Sequence, residues 1–227
     1  MHRAVADDVL GPGCRAILWV QGCSHRCAGC IAPEGWDLDG GRLCSVDEVA
    51  GWVLSQSGIE GITISGGEPM LQAWALARVI RAVRLHADLG VVCYTGYVLP
   101  PRTPGAPGVV LRRTPARAEL LSLLDMIVDG PYVEARHGDF LWRASANQRL
   151  ILMTPRYRAL LQARADTSAG IVCTIDAQGR PQVVGVPNRP GFREEFERHA
   201  RARGVRLDAS GRGPSLREAR RTRTDSD

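Results

Sequence analysis

Lysine is absent: all 29 basic residues of the 227-residue chain are arginine. Together with abundant alanine and glycine, this points to coding bias in a GC-rich genome rather than to a functional basic surface. A basic body is missing as well. The formal charge is +5, but residues 201–227 hold eight arginines against four acids, so +4 of it belongs to that tail. The rest is nearly neutral, which argues against nucleic acid as a partner, and the tail (residues 209–227 above all) reads as a solvated, disordered end. Long apolar runs are lacking too. No window approaches the ~18 uninterrupted apolar residues of a membrane span. The opening MHRAVADDVLGPG lacks the charged-then-apolar layout of a signal peptide. The expectation is a cytoplasmic protein with no membrane partner. Nor is there an even set of cysteines: seven, three of them crowded together, suit metal binding in a reducing compartment better than a disulfide framework.

What is present begins with an ordinary 44% hydrophobic content, enough for one sizeable domain plus appendages. Strand-like and helix-like segments alternate, which predicts an α/β fold of parallel βα units. Strands are expected at 16–21, 61–65, 89–94, 126–129 and 149–153. Ser45 and Glu48 have capping-box spacing and predict a helix from Val46 to about Ser57, with Val49, Val53 and Leu54 on its apolar face. A second helix over 71–87 would bury Leu71, Trp74, Ala75, Val79 and Val83. Thr114–Pro115 and Thr154–Pro155 are helix starts, the second helix running to about Arg164. From Gly170 the pattern changes to a hairpin, IVCTI and QVVGV around a polar turn. An amphipathic helix around Phe192 and Phe196 follows and stops at Gly204. The domain expectation is a core over 9–165, a small C-terminal addition over 166–208, and the tail.

The chemistry-bearing feature is GCSHRCAGC, in which Cys23, Cys27 and Cys30 form a CxxxCxxC triplet behind the apolar run AILWVQ, with no further cysteine before Cys44. A cubane iron–sulfur cluster normally takes four thiolates, so three on one loop would leave one iron open to a substrate or cofactor. Two other readings stay open on the residues alone. His25 could complete a zinc site, or Cys14 or Cys44 could complete four-thiolate ligation in an electron carrier. Cys14, Cys44, Cys93 and Cys173 otherwise read as buried or partly buried structural residues. Trp19, Trp36, Trp74 and Trp142 read as core or loop anchors. Trp36 is the candidate for shielding the site. His86, His137 and His199 read as ordinary.

Parallel βα folds carry ligand sites at the C-terminal ends of their strands, where the triplet, GGEP, YTGY and DGPY all fall. Gly66 and Gly67 would let backbone approach a ligand closely, and Glu68 is either a ligand contact or a helix-start carboxylate. The ordered set WVQGCSHRCAGC, PEGW, GITISGGEPMLQA, CYTGY, IVDGPY and SANQRL resembles the radical S-adenosylmethionine enzymes. Within that superfamily it resembles the activating enzymes of anaerobic ribonucleoside-triphosphate reductase, over roughly residues 9–157.

The resemblance implies a shortened, open β/α barrel with the C-terminal hairpin and helix as an addition. It implies a [4Fe-4S] cluster on Cys23, Cys27 and Cys30, and S-adenosylmethionine chelated to the fourth iron. Gly66, Gly67 and Glu68 would line the methionyl end, Gly29, Cys30 and Ile31 would border the adenine, and Asp129 and Gly130 are ribose-side candidates. The reaction implied is reductive cleavage to a 5′-deoxyadenosyl radical that abstracts hydrogen from a glycine of a large partner, an anaerobic ribonucleotide reductase. Flavodoxin or ferredoxin would be the reductant. No side-chain acid or base is needed. The chain departs from the family pattern at Ala32, where asparagine is common, and no role follows for Asn147, Gln148 or Arg149. The alternative is a small radical enzyme acting on a metabolite or peptide, similar to 7-carboxy-7-deazaguanine synthase, or a non-catalytic iron–sulfur carrier or zinc-binding domain.

Overall fold

A computed structural model describes residues 1–102, 104–175 and 181–204. In chain order the strands are β1 (His2–Asp7), β2 (Cys14–Val20), β3 (Gly61–Gly66), β4 (Gly90–Thr95), β5 (Met126–Asp129), β6 (His137–Phe140), β7 (Arg143–Ser145), β8 (Arg149–Leu152), β9 (Ile171–Ile175) and β10 (Pro181–Gly185). The helices are α1 (Val46–Leu54), α2 (Ala73–Arg84), α3 (Pro115–Ser122), α4 (Arg158–Gln162) and α5 (Phe192–Ala202).

One six-stranded sheet runs β1-β2-β3-β4-β5-β8. Its centre, β2 to β5, is parallel, as the alternation of strands and helices predicts. Both edges depart from that expectation: β1 and β8 pair antiparallel with β2 and β5. An α/β fold with a parallel-rich sheet is therefore present, flanked by antiparallel edges and by two small hairpins, β6–β7 and β9–β10.

The period of two along each strand sorts the sheet into faces. Ala16, Leu18, Val20, Ile62, Ile64, Val91, Cys93 and Ile127 point to the side covered by α1, α2 and α3. On α2 the buried stripe is Ala73, Leu76, Ala77, Val79, Ile80 and Val83, which includes the expected Val79 and Val83 but not the expected Leu71, Trp74 and Ala75. Pro69 opens a 3-10 turn (Pro69–Leu71), so the α-helix starts afresh at Ala73. Leu71 (42%) and Trp74 (59%) are left exposed and Ala75 half-buried. Each fully buried Leu or Ile of the stripe stabilises by about 2 kcal/mol. On α1 the predicted cap is made, Ser45 accepting from the Glu48 N–H. Glu48 does not reach back to complete the box; it pairs with Arg3 and Arg42, and Leu54 is exposed.

The opposite face carries Val92 and Met126 under Trp142, Leu141 and Tyr157. Nearer β1, Ile17 packs with Ala4, Ala6, Val9, Leu10 and Val184, so the C-terminal hairpin is seated on this face. At the N-terminal end of the parallel strands lies Arg15, 1% exposed with no carboxylate beside it. Its guanidinium donates to the carbonyls of Pro12, Ile62 and Gly90 and to the hydroxyls of Thr63 and Tyr157. Complete hydrogen bonding is what lets a cation stay buried. The predicted turn at 176–180 and the tail lie outside the described residues. No described helix is long and apolar enough to cross a membrane.

Candidate metal centre

The triplet loop leaves β2 at its C-terminal end and is fixed by backbone pairing to a neighbouring 3-10 turn (Pro33–Trp36): Gly22 N–H donates to Gly35 O (2.9 Å) and Cys23 N–H to Trp36 O (3.2 Å). Gln21 holds the same turn through its Nε2, which donates to the carbonyls of Glu34 and Asp37, both at 2.9 Å. Gln72 Nε2 in turn donates to Gln21 O (2.6 Å). The sequence pieces WVQGC, PEGW and MLQA thus form one interlocked unit.

GGEP is the floor on which this unit rests. Gly67 N–H donates to Val20 O (2.7 Å) and Glu68 N–H to Gly22 O (2.8 Å). A Cβ at Gly67 would stand 2.4 Å from Gly22 O, and one at Gly66, whose φ is +100°, would stand 2.5 Å from the backbone of Val20. Close packing of two backbones accounts for both glycines, a reason the sequence reading did not contain.

Glu68 is 1% exposed. Its carboxylate accepts from Met70 N–H (2.9 Å), Thr95 Oγ1 (2.8 Å) and Gly96 N–H (2.8 Å), so it both starts the 3-10 turn and ties β3 to the end of β4. The side chain is consumed inside the protein, which leaves backbone as what GGEP turns outward. His25 lies above it, edge-on to Tyr97 at 4.5 Å between ring centroids. Its Nε2 is 3.2 Å from Glu68 Oε2, a charge contact off the line of a hydrogen bond, and that buried nitrogen has no hydrogen-bond partner. The ring fits because position 96 is glycine: a Cβ there would be 2.6 Å from the imidazole.

All three thiols are free and half-buried. Burial raises the Cys27 and Cys30 thiols above the ordinary value. Backbone of Tyr132 beside Cys27, and backbone of Ala32 with the Trp36 side chain beside Cys30, act in the opposite direction without outweighing burial. Three free cysteines on one loop, two of them bordered by polar backbone and an indole, are a donor set that fits an iron–sulfur group. Trp36 and the DGPY loop are hence part of the cysteine surroundings. Among the described residues, no group of three His, Cys, Asp or Glu side chains converges on a single-ion position.

The loop after β5 closes the other side. A Cβ at Gly29 would meet Tyr132 and Glu134 at 3.1 Å. Asp129 is fully buried, accepts from Leu99 N–H (2.7 Å) and is gripped by Arg149 through both oxygens. Its carboxylate is turned inward, and Gly130, at φ +98°, carries the chain on toward Tyr132. The residues of SANQRL acquire roles here. Arg149 also donates to the Leu99 and Pro101 carbonyls. Gln148 Oε1 accepts from the Ala144 and Ser145 N–H groups while its Nε2 donates to Gly130 O (3.2 Å), and Asn147 Nδ2 donates to Pro131 O (2.7 Å). These residues clamp the DGPY loop from eighteen or so positions away in sequence, which is why spacing alone did not expose them.

His137, read as ordinary, has Nδ1 3.0 Å from the Tyr132 hydroxyl. Two further expectations are corrected: Cys173 is exposed, and so is Trp74. A groove of about 800 Å³ between the start of α2 and residues 112–117 contains no cysteine and stands apart from the triplet.

Residues 9–151 match the family described as a 4Fe-4S single cluster domain. The anaerobic ribonucleoside-triphosphate reductase-activating protein of Enterobacteria phage T4 is 32% identical over 156 residues, covering 63% of this chain and 87% of the relative. Proteins of the same name from Vibrio cholerae and Escherichia coli strain K12 are each 30% identical, again over 63% of this chain and 90% of theirs. With the cysteine loop and these likenesses together, the chain belongs to the family of radical S-adenosylmethionine activating enzymes that use an iron–sulfur cluster and S-adenosylmethionine, alongside the anaerobic ribonucleoside-triphosphate reductase-activating proteins.

Proposed function

We propose that this enzyme installs a glycyl radical on an anaerobic ribonucleotide reductase, in the cytoplasm, with flavodoxin or ferredoxin as electron donor. When bound, the cluster and S-adenosylmethionine supply a 5′-deoxyadenosyl radical able to take hydrogen from the α-carbon of a glycine. The protein's own part is holding and excluding. Cys23, Cys27 and Cys30 hold the cluster, with Tyr132 bordering Cys27 and with Ala32 and Trp36 bordering Cys30. Backbone of Gly66, Gly67 and Glu68 borders the methionyl end, and backbone of Gly29, Cys30 and Ile31 the adenine. Gly130 lies on the ribose side, with Asp129 contributing through its anchoring of that loop. No acid or base has to be supplied, so positioning and water exclusion carry the rate.

In this reading residues 9–165 are a shortened, open barrel, 166–208 an addition to it, and 209–227 a dispensable tail. The observation that carries the proposal is the seating of a loop with three free thiols on the GGEP loop at the C-terminal edge of parallel strands.

Anaerobic reconstitution with a reductant, S-adenosylmethionine and a glycyl-radical reductase tests it. The expected result is 5′-deoxyadenosine together with a glycyl doublet in the electron paramagnetic resonance spectrum of the reductase. Cys27→Ala should abolish both while the chain remains folded by circular dichroism. Cleavage retained in that variant would refute the ligand assignment. 5′-Deoxyadenosine formed without any protein radical, but with turnover of a small molecule, would shift the reading to the metabolite enzyme.

A further inference from the structure

The helix α5 lies beyond residue 151, where the family match ends, yet it reaches the cysteine loop. The contact is made by Arg193 in its first turn. The guanidinium donates through Nη1 to Glu34 Oε2 (2.7 Å) and to the Ile31 carbonyl, and through Nε to Glu197 Oε1 (2.9 Å) one turn along. Three acceptors, two of them on the segment just after Cys30, are gathered by one rigid fork. The ends of the pair are mostly covered, 21% exposed for Arg193 and 31% for Glu34. Burial works against the Arg193 charge, but the two carboxylates outweigh it and hold the group more firmly protonated than usual.

The other fastenings of this segment come from its strand side, through Gln21, Gly22 and Cys23. Arg193 fastens it from outside, at Ile31, itself 44% exposed. The hairpin preceding the helix is anchored to the core through Val184 on the sheet, and the Ser168 N–H at its start donates to Asp139 Oδ1 (2.9 Å).

We propose that Arg193 is a positioning residue for the cysteine loop, by which the C-terminal addition clamps Ile31 and Glu34 and slows escape of iron from the site. This rests on the reading that Cys23, Cys27 and Cys30 hold the cluster. The full-length protein should be compared as wild type, Arg193→Ala, Arg193→Lys, Glu34→Gln and the Arg193→Ala/Glu34→Gln double variant, with two readouts. Without metal, hydrogen–deuterium exchange of peptides within residues 22–36 should be faster in Arg193→Ala and Glu34→Gln, with exchange over α2 and β4 unchanged. After anaerobic reconstitution, bleaching of cluster absorbance by a chelator should be about three- to tenfold faster in Arg193→Ala, the range for a partly covered charge-assisted pair. Arg193→Lys should recover part of the loss, and the double variant should be no worse than the worse single one.

Unchanged exchange and bleaching in Arg193→Ala, or single effects that simply add in the double variant, would overturn the proposal. Should Arg193→Ala misfold, Glu34→Gln decides alone, since it leaves α5 intact. Failure of every protein, wild type included, to take up a cluster would sink the ligand assignment, while the metal-free exchange would still decide for or against the clamp.

Discussion

Glu68 and Asp129 are carboxylates of two loops that face the same mouth, and both are turned inward. Each accepts hydrogen bonds from the strand or loop beside it, so each fixes the loop that carries it. Removing either set leaves buried donors or a buried charge unmatched. Glu68→Ala orphans the N–H groups of Met70 and Gly96 and the Thr95 hydroxyl, and is expected to lower unfolding free energy by ~3 kcal/mol in urea titration. Arg149→Ala leaves the Asp129 charge in the interior, at a cost of ~3 kcal/mol or more by the same measurement. A loss below about 1 kcal/mol in either variant would mean that the carboxylate is not bound as described.

At the level of elements, glycine separates two cases by sign. Gly51, inside α1, has open space where a Cβ would go, and Gly51→Ala is expected to stabilise by ~0.5–1 kcal/mol through helix propensity. Gly67→Ala would press a methyl against the Gly22 carbonyl and is expected to cost ~2–3 kcal/mol and loosen the cysteine loop. Thermal melts of the two variants should therefore move in opposite directions. How far the elements were readable follows the same physics. β5 matches its expected residues because its apolar run of Met126, Ile127 and Val128 is wholly buried and leads straight into the DGPY turn signal. The first turn of α2 departs from its expected stripe, while Val79 and Val83 keep it, because a proline-started 3-10 turn takes up the residues that would begin the helix. β1 and the β6–β7 hairpin escaped notice because they are short and mix polar with apolar residues, as HRAVAD and HGDF do. In the site, the cysteine triplet is visible at a glance, whereas Tyr132, Arg149 and Arg193 reach it from more than a hundred residues downstream and carry no local signal.

At the scale of the molecule, a parallel sheet offers its C-terminal edge, and the four loops gathered there are held by partners from β4, β8 and α5 alike. The helix-covered face is an ordinary core. The other face is partly covered by the C-terminal hairpin and by Leu141, Trp142 and Tyr157. The central claim is that the protein holds a four-iron cluster by three thiolates and leaves one iron to S-adenosylmethionine. Electron–nuclear double resonance on the anaerobically reduced cluster, with S-adenosylmethionine labelled at its amino nitrogen and carboxylate, tests this most directly. The account predicts coupling of both labels to a single iron, lost when Cys27 is replaced. Absence of coupling from a cluster with four cysteine-bound irons, or a bound mononuclear zinc ion in place of iron, would contradict it.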